Sequence, residues 1–349
     1  MKKGYSILLA LLICVFVGGL CFIPSSSITE EAMNRYYNLN ETENFNKSEE
    51  SVREKIVKAN PVGVMASAVF SDILPAANIS PLPIDFTPGN TPLSENFTEE
   101  GYRDDSIIVE LDHFRAFDSD VYVSYIKIAT ASQLRTAVAG SSLKSTHTNQ
   151  VSKIAKNYNA IVAVNGDYFI DTLGGYITRQ GQTVRTALSD NLDFLFIDQY
   201  GDFHILLAGK ENQEHDINAF LSKSELVNGF FFGPALVKDG EMLSISKDYH
   251  FSPEAANPRA GICQLAPLTY AIVTVNGRSN TSVGVTLSEF AEIMYDLGAI
   301  QAYNLDGGNS ATLVYNGEVF NDKPQDERDV SDIIYFATAT GAGPAVIEE

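Results

Sequence analysis

The sequence predicts an α+β fold, in which a single mixed or antiparallel twisted-sheet domain carries flanking helices. Apolar runs with period-two alternation, as in residues 121–129, are typical of strands, and several such runs occur. The few segments with helical periodicity do not alternate strictly with these runs, which argues against a doubly wound parallel sheet. The chain of 349 residues contains no internal repeat and is long enough to bury an ample core.

Residues 1–23 are predicted to be a signal peptide or a signal-anchor helix. Lys2 and Lys3 precede an apolar stretch, as in export signals. The stretch is only just long enough to span a bilayer, and no Ala-x-Ala site follows it, so cleavage and membrane anchoring both stay open. In either case the positive N-terminal side predicts an extracellular location or a single-pass protein of the cell membrane, with the folded domain outside the cytoplasm.

Residues 24–105 have the composition of a disordered, acidic tether rich in Asn, Glu, Ser, Thr and Pro. The catalytic-type domain is therefore predicted to comprise residues 106–349. Its strands are predicted at 107–111, 121–129, 161–164, 193–197, 204–207, 260–263 and 269–275. Its helices are predicted at 150–158, 217–222 and 286–297, the last ending at Gly298.

Charge and cysteine content exclude several classes of protein. The formal net charge is −20, and no basic stripe is present to neutralise phosphates, so nucleic acid is not an expected partner. Cys14 and Cys21 lie in the N-terminal apolar segment, which leaves Cys263 alone in the folded part and excludes a disulfide framework or a cysteine zinc site. The five histidines are scattered, without the spacing of a zinc centre.

The stretch around Asp306 is the most informative part of the chain. An apolar run, 299–305, ends on Asp306-Gly307-Gly308, and a second apolar run, 311–315, follows. This pattern predicts two buried strands joined by a tight turn. The turn is either an ordinary hairpin turn or a place where polar side chains reach a cleft.

Polar clusters follow several other predicted strands, and each alone fits a turn. Together they supply carboxylates and arginines beside glycine-rich turns, which are the groups needed to hold an anion and to cleave a bond next to it. The clusters are Asn165/Asp167, Asn257/Arg259, Asn276/Arg278 and Asn304/Asp306/Ser310.

From about residue 143 to the C-terminus the chain resembles the phosphodiester glycosidase family in several blocks that occur in the same order. The blocks include Ala163-Val164-Asn165-Gly166-Asp167-Tyr168-Phe169, Gly233-Pro234-Ala235-Leu236-Val237, Asn257-Pro258-Arg259, Val275-Asn276-Gly277-Arg278, Asn304-Leu305-Asp306-Gly307-Gly308-Asn309-Ser310 and Glu327-Arg328-Asp329. Asn309 departs from the pattern, since the family more often has a third glycine there.

The resemblance implies hydrolysis of the glycosidic C1–O bond of sugar-1-phosphodiesters. It implies Asp306 as the carboxylate that serves the anomeric centre, as base or nucleophile, and Asp167 as the second catalytic candidate. Substrate-binding groups are then expected at Asn165, Gly166, Arg259, Arg278, Asn304, Gly307, Gly308, Ser310 and Arg328. No cofactor is required, although Asp306, Asp167 and Asp171 could together ligate a hard cation such as calcium.

The expected substrates are phosphodiester-linked glycans of a surface or extracellular polymer, of the exopolysaccharide or teichoic-acid type. The membrane becomes a partner if the N-terminal segment is not cleaved. Two alternatives stay open: a non-hydrolytic glycan-binding or exopolysaccharide-assembly protein with the same pocket, and a metal-dependent phosphodiesterase that breaks the P–O bond.

Overall fold

The computed structural model describes residues 79–171, 174–250, 252–340 and 342–344. The predicted signal or anchor at 1–23, and residues 24–78 of the predicted tether, lie outside this part of the chain. Among the residues described, no helix combines the length and the apolar character needed to cross a membrane.

The described chain contains short strands and few helices. In chain order the strands are β1 (Asn90–Thr91), β2 (Gly101–Arg103), β3 (Ile107–Ala116), β4 (Ser119–Ile128), β5 (Leu134–Val138), β6 (Val162–Asn165), β7 (Tyr176–Arg179), β8 (Gln182–Thr186), β9 (Phe194–Asp198), β10 (Phe203–Leu206), β11 (Leu226–Phe230), β12 (Ala235–Lys238), β13 (Glu241–Met242), β14 (Arg259–Ala266), β15 (Thr269–Val275), β16 (Gln301–Leu305), β17 (Leu313–Tyr315), β18 (Glu318–Val319), β19 (Asp332–Phe336) and β20 (Ala342–Pro344). The α-helices are α1 (Val151–Asn157), α2 (Lys210–Leu221) and α3 (Leu287–Asp296).

Three larger sheets and one two-stranded ribbon, β1-β20, form the architecture of the described residues. The eight-stranded sheet has the order β13-β12-β16-β14-β15-β4-β3-β2, and the two five-stranded sheets have the orders β18-β17-β6-β19-β5 and β10-β9-β11-β7-β8. Every strand pairing in these residues is antiparallel. The predicted α+β class is therefore confirmed, and the sheets are antiparallel.

The two apolar runs around Asp306 do not form a hairpin, contrary to one of the two sequence-based interpretations. β16 pairs with β12 and β14 in the eight-stranded sheet. β17 pairs with β6 and β18 in the neighbouring five-stranded sheet. The glycine turn is therefore a crossover from one sheet to the other, and the polar residues at the end of β16 lie at the junction of the two sheets.

One apolar core is shared by the three sheets, and the helices cover its outer faces. The shared core includes Ile262 and Tyr303 of the eight-stranded sheet, Val164 and Ile334 of the second sheet, and Phe230 of the third. Helix α3 buries Leu287, Phe290, Ala291 and Met294, at helical spacing, against the other face of the eight-stranded sheet. Burial of each of the larger side chains, Leu287, Phe290 and Met294, stabilises the fold by about 1.5–3 kcal/mol.

Helix α3 begins and ends close to the predicted bounds because its end signals are local. Thr286 and Glu289 form a capping box, in which the Thr286 hydroxyl accepts a hydrogen bond from the Glu289 N–H and the Glu289 carboxylate accepts one from the Thr286 N–H. Helix α2 begins seven residues before the predicted start at Ile217, because its first turns are polar and bury only Gln213. Hydrophobic periodicity alone does not detect such a start.

The folded part of the chain begins before Ser106, the residue at which the folded domain was predicted to start. Leu82 and Tyr102 are buried, and the segment carries β1 and β2. The buried guanidinium of Arg135 donates hydrogen bonds to the main-chain oxygens of Pro83, Asp85 and Thr87. The polar composition of this segment did not predict these contacts, since they depend on a distant arginine rather than on local apolar pattern.

Candidate active site

Asp306 lies where β16 ends, and main-chain contacts fix it against the end of β6. The Asp306 N–H points at the oxygen of Gly166 at 3.3 Å, and the Asn165 amide donates to the Asp306 main-chain oxygen at 2.7 Å. The Asn165 Oδ1 accepts a hydrogen bond from the N–H of Thr312 at 3.2 Å. Asn165 therefore holds both ends of the turn, and we assign it a positioning role rather than the predicted contact with substrate.

The Asp306 carboxylate is mostly buried, and few neighbouring groups compensate for its loss of solvation. Its side chain is 14% exposed. Burial raises the pKa of Asp306, and the carboxylate of Asp332 raises it further. A hydrogen bond from the Ser310 hydroxyl, the charge of Arg328 and the N–H of Gly307 oppose this shift. The result is a carboxylate that is mostly buried, has a raised pKa and keeps part of its surface exposed.

Arg328 approaches Asp306 from the loop before β19. Its Nη1 lies 3.9 Å from the Asp306 Oδ2 and 3.5 Å from the Ser310 Oγ. Its guanidinium carbon lies 4.6 Å from the centre of the Tyr168 ring, a cation–π geometry. Tyr168 itself has a φ of +48°, a conformation that costs energy for an aromatic residue. Tyr168 was not among the predicted site residues, although it lies in the block that contains Asp167.

Arg278 lies on the other side of the Asp306 turn. Its Nη2 and Nε donate to the Asn257 Oδ1 at 2.9 and 3.3 Å, and its Nη1 donates to the Asn309 Oδ1 at 3.1 Å. Asn257 was predicted only as part of a cluster with Arg259. The structure shows that it contacts Arg278 instead.

Arg259 lies behind Arg278 and is buried. Its Nε donates to the oxygen of Val285, and its Nη2 donates to the oxygens of Ser252 and Ala255. Burial and then the charge of Arg278 lower the pKa of Arg259 to about 10. Within the described part of the chain, neither guanidinium has a carboxylate partner. Two neighbouring cations without a counter-charge favour an anionic ligand.

Asp167, the second predicted catalytic carboxylate, does not face the cleft. It is fully buried and pairs with Arg179, which also donates from Nε to the Asp332 Oδ2 at 2.8 Å. The Phe231 N–H donates to the Asp167 Oδ2 at 2.9 Å. Burial raises the pKa of Asp167, although Arg179 opposes the shift. In this structure the Asp167 carboxylate therefore has no exposed surface, and its hydrogen-bond partners are groups of the protein.

Arg179 is the functional-site residue that sequence reasoning missed. It has no exposed surface, it packs 4.0 Å from the centre of the Phe230 ring, and it joins β7 to the ends of β6 and β19. Arg179 is a single arginine at the end of a short strand, and no sequence pattern indicated that it belongs to the site. Arg185, on the neighbouring strand β8, donates to the oxygens of Gly174 and Phe169.

The three predicted glycines lie where a side chain would meet neighbouring groups. A Cβ on Gly166 would lie 2.4 Å from the Asp332 carboxyl, and one on Gly307 would lie 2.7 Å from the Pro258 oxygen. Gly308 has a φ of +59°, and a Cβ there would lie 3.2 Å from the Arg278 Nη2. These glycines let the turn approach Asp332, Pro258 and Arg278 closely.

Asn304 is buried in β16, two residues before Asp306. Its amide donates to the oxygen of Gly233 at 2.7 Å, while its Oδ1 is buried and has no hydrogen-bond partner among the residues described. A buried acceptor without a donor costs about 1–3 kcal/mol. Asn304 thus lies beside the predicted site with one polar atom unsatisfied.

The described residues do not fit a calcium site built on Asp306 and Asp167. Asp306 has Arg328 beside it, and Asp167 is engaged by Arg179. A hard cation needs several oxygen ligands, and no group of three or more His, Cys, Asp or Glu side chains could hold a metal within the described ranges. The structure does not describe the side chain of Asp171, so the predicted three-carboxylate set is not tested.

In the described residues, the partly exposed Asp306 carboxylate and several cationic groups lie together at the junction of two antiparallel sheets. Residues 158–337 match the family model described as phosphodiester glycosidase, which is more than half of the chain. The chain belongs to the phosphodiester glycosidase family.

Individual relatives are distant. The chain is 34% identical over 110 residues to the SPbeta prophage-derived uncharacterized protein YomE of Bacillus subtilis (strain 168), a match that covers 32% of this chain and 17% of YomE. The zebrafish N-acetylglucosamine-1-phosphodiester alpha-N-acetylglucosaminidase catalytic domain, solved auto-inhibited by pro-peptide, is similar in structure with a TM-score of 0.53 and 17% identity, covering 72% of this chain and 87% of that one.

A hypothetical protein from Synechocystis aligns with a TM-score of 0.46 and 20% identity, covering 66% of this chain and 62% of that one. The chain therefore spans less than two thirds of that protein's length, and a much smaller share of YomE. At 17% identity the zebrafish structure shows a shared fold alone, and the substrate of this chain has to be argued from its own site.

Proposed function

We propose that this protein is a hydrolase that cleaves the glycosidic C1–O bond of sugar-1-phosphodiesters. One observation carries the proposal. The partly desolvated Asp306 carboxylate lies in a turn over which the Arg278 side chain extends, and Arg259 lies behind Arg278. Neither arginine has a carboxylate partner in the described residues. A sugar phosphodiester supplies both an anion for the arginines and an electrophilic carbon for the carboxylate.

The phosphate group of the substrate would bind at Arg278, with the buried charge of Arg259 behind it. As the C1–O bond breaks, negative charge develops on the departing phosphate oxygen. Cations that are held in place stabilise that charge more strongly than water does, because they need not reorganise during the reaction. Since a phosphate is a better leaving group than a sugar hydroxyl, this cleavage depends less on a general acid.

Asp306 would act on the anomeric carbon, either by attacking C1 or by removing a proton from the attacking water. In both cases the water oxygen ends on C1, and the bridging oxygen leaves with the phosphomonoester. Because Asp167 is buried in the ion pair with Arg179, no second carboxylate of the predicted pair faces the cleft. The proposal therefore places the reaction on one carboxylate and on the arginines.

The preferred substrates would be phosphodiester-linked glycosyl groups of surface or extracellular polymers, such as exopolysaccharides or teichoic acids. This part of the proposal rests on the predicted export segment at residues 1–23. The protein would then act outside the cytoplasm, either secreted or tethered to the membrane by that segment.

The experiment is a turnover assay on a panel of sugar phosphodiesters, including a nitrophenyl phosphodiester and a UDP-sugar. The expected result is release of free sugar by the wild-type protein and a loss of about 100- to 10,000-fold in kcat for Asp306→Asn, with the melting temperature retained. Unchanged activity in Asp306→Asn would contradict the assigned role. Binding of the glycans without any turnover would instead indicate a glycan-binding or assembly protein.

A further inference from the structure

Arg278 has an unusual main-chain conformation in the turn that follows β15. Its φ is +61°, and its N–H points at the oxygen of Val283 at 3.3 Å. The preceding Gly277 is packed so closely that a Cβ there would lie 2.8 Å from the Gly284 Cα. A non-glycine residue with this φ costs energy, so a specific structural use of the side chain is expected.

The side chain of Arg278 lies directly over the turn that carries Asp306. A Cβ on Gly308 would lie 3.2 Å from the Arg278 Nη2 and 3.4 Å from its Nη1. One edge of the guanidinium is engaged by the Asn257 Oδ1, and Nη1 is engaged by the Asn309 Oδ1. Both partners are uncharged amides, so they orient the guanidinium without cancelling its charge.

Asn309 is itself well fixed. It belongs to the short 3-10 turn Gly308–Ser310, and its main-chain oxygen accepts a hydrogen bond from the Lys323 Nζ at 2.6 Å. Asn309 follows Asp306 by three residues, so the group that orients Arg278 and the carboxylate belong to the same turn. Any shift of the Asn309 side chain therefore changes the position of Arg278 relative to Asp306.

We infer that Asn309 is a positioning residue. Its side-chain oxygen holds the exposed Arg278 guanidinium over Gly308, in the turn that carries Asp306. The phosphate group of a substrate then binds hydrogen-bond donors that are already oriented. This inference rests on the proposed function for its consequence in turnover. An exposed arginine has many rotamers, and an oriented one loses less conformational freedom when it binds an anion.

The test uses Asn309→Ala, with inorganic phosphate as the probe of the anion site. Loss of one hydrogen bond to a charged group predicts a rise of about 3- to 10-fold in the dissociation constant of phosphate, measured by calorimetry. On a cleaved phosphodiester, KM is expected to rise by the same factor, with kcat changed less than about 2-fold. Asn257→Ala should act in the same direction, because it removes the other partner of Arg278.

A matched control and a double-variant cycle separate this role from a general loss of structure. Asn212→Ala removes an exposed asparagine on α2, away from the turn, and should leave phosphate binding unchanged. In an Arg278→Lys background, where the planar fork is absent, Asn309→Ala should have no further effect.

Three results would overturn the inference. They are an equal phosphate dissociation constant in wild type and Asn309→Ala, additive effects in the cycle, and no phosphate binding by the wild-type protein. If the expected binding pattern is found but no phosphodiester is cleaved, the positioning role of Asn309 stands and the proposed hydrolysis is rejected.

Discussion

At the scale of single residues, the chemistry of the site follows from how Asp306 is buried. A carboxylate that loses most of its water is a stronger base, and it remains ionised only where donors or cations compensate. Ser310, Gly307 and Arg328 supply that compensation in part. The remaining upward shift in the pKa of Asp306 sets two measurable properties, the pH dependence of the reaction and the stability of the fold.

The pH profile of kcat/KM should show an acidic limb above pH ~3.9, the ordinary value of an aspartate, because the reactive form of Asp306 is ionised and its pKa is raised. Arg328→Gln removes a charge that lowers this pKa, so the limb should move to still higher pH. The Asp332 carboxylate and the Ser310 hydroxyl also face Asp306, and both are kept in that variant. A limb that moves to lower pH in Arg328→Gln would contradict this account.

The raised pKa of Asp306 makes folding stability depend on pH in the opposite direction to that of a salt-bridged aspartate, whose pKa is lowered on folding. Because the folded protein holds the Asp306 proton more tightly than the unfolded chain, this group's contribution to stability is present below its unfolded pKa. That contribution is lost as the pH rises through the folded pKa. Thermal melts of Asp306→Asn at neutral pH should therefore show an unchanged or raised melting temperature.

Arg179 is expected to be the most important single charge for the support of the site. Arg179→Met leaves Asp167 and Asp332 buried without their cation, which should cost about 3–5 kcal/mol and lower the melting temperature by about 6–20 °C. Arg185→Met, on the neighbouring strand β8, serves as the control and should cost about 1 kcal/mol, because Arg185 is only partly buried and its hydrogen bonds to Gly174 and Phe169 go to uncharged main-chain oxygens. Equal melting temperatures for the two variants would contradict the assigned role of Arg179.

At the scale of elements, the crossover from β16 to β17 determines which side chains meet. The turn must pass close to the strand that begins at Arg259, since the Gly308 N–H donates to the Pro258 oxygen at 2.9 Å. Side chains larger than glycine do not fit there. The geometry of Asp306 therefore depends on backbone packing in a neighbouring strand as well as on its own hydrogen bonds.

Gly307→Ala tests this dependence. Its Cβ would lie 2.7 Å from the Pro258 oxygen, so the turn must shift, and a cost of about 1–3 kcal/mol is expected together with a fall of at least about 10-fold in kcat/KM. Gly174→Ala is the matched control, because a Cβ there has no atom within 4 Å. Retained activity in Gly307→Ala, measured beside that control, would show that the turn tolerates displacement.

The strands and helices that the sequence predicts well are those with local signals. The strand Thr269–Val275 and the helix Leu287–Asp296 were predicted within a residue or two, because one is a continuous apolar run and the other has a capping box and a glycine stop. The partner of β17 could not be predicted, since strand pairing depends on distant segments. For the same reason the sequence could not predict the ion pair between Asp167 and Arg179, and Asp167 was interpreted as a catalytic candidate.

At the scale of the whole molecule, an acidic chain concentrates cations around one carboxylate. The formal net charge is −20, yet Arg259, Arg278, Arg328 and Lys323 surround the turn at Asp306. Composition alone could not show this local arrangement, because it gives the sum of the charges and not their positions. Motif order led to the family, and the structure then showed which of the motif residues are buried and which are partly exposed.

Membership of the phosphodiester glycosidase family leaves open which bond of the substrate this chain breaks. The distinction depends on where the water oxygen goes. If Asp306 serves the anomeric carbon, water adds to C1, and the bridging oxygen stays with the phosphate. A phosphodiesterase that breaks the P–O bond would place the water oxygen on phosphorus instead.

The most direct test is turnover of a sugar-1-phosphodiester in ¹⁸O-labelled water, with mass spectrometry of both products. We predict that the label appears on the C1 hydroxyl of the released sugar and is absent from the phosphomonoester. Because the free sugar exchanges its C1 oxygen slowly with water, the control is the same sugar incubated without enzyme for the same time. Label in the phosphate, with none in the sugar above that control, would contradict the account.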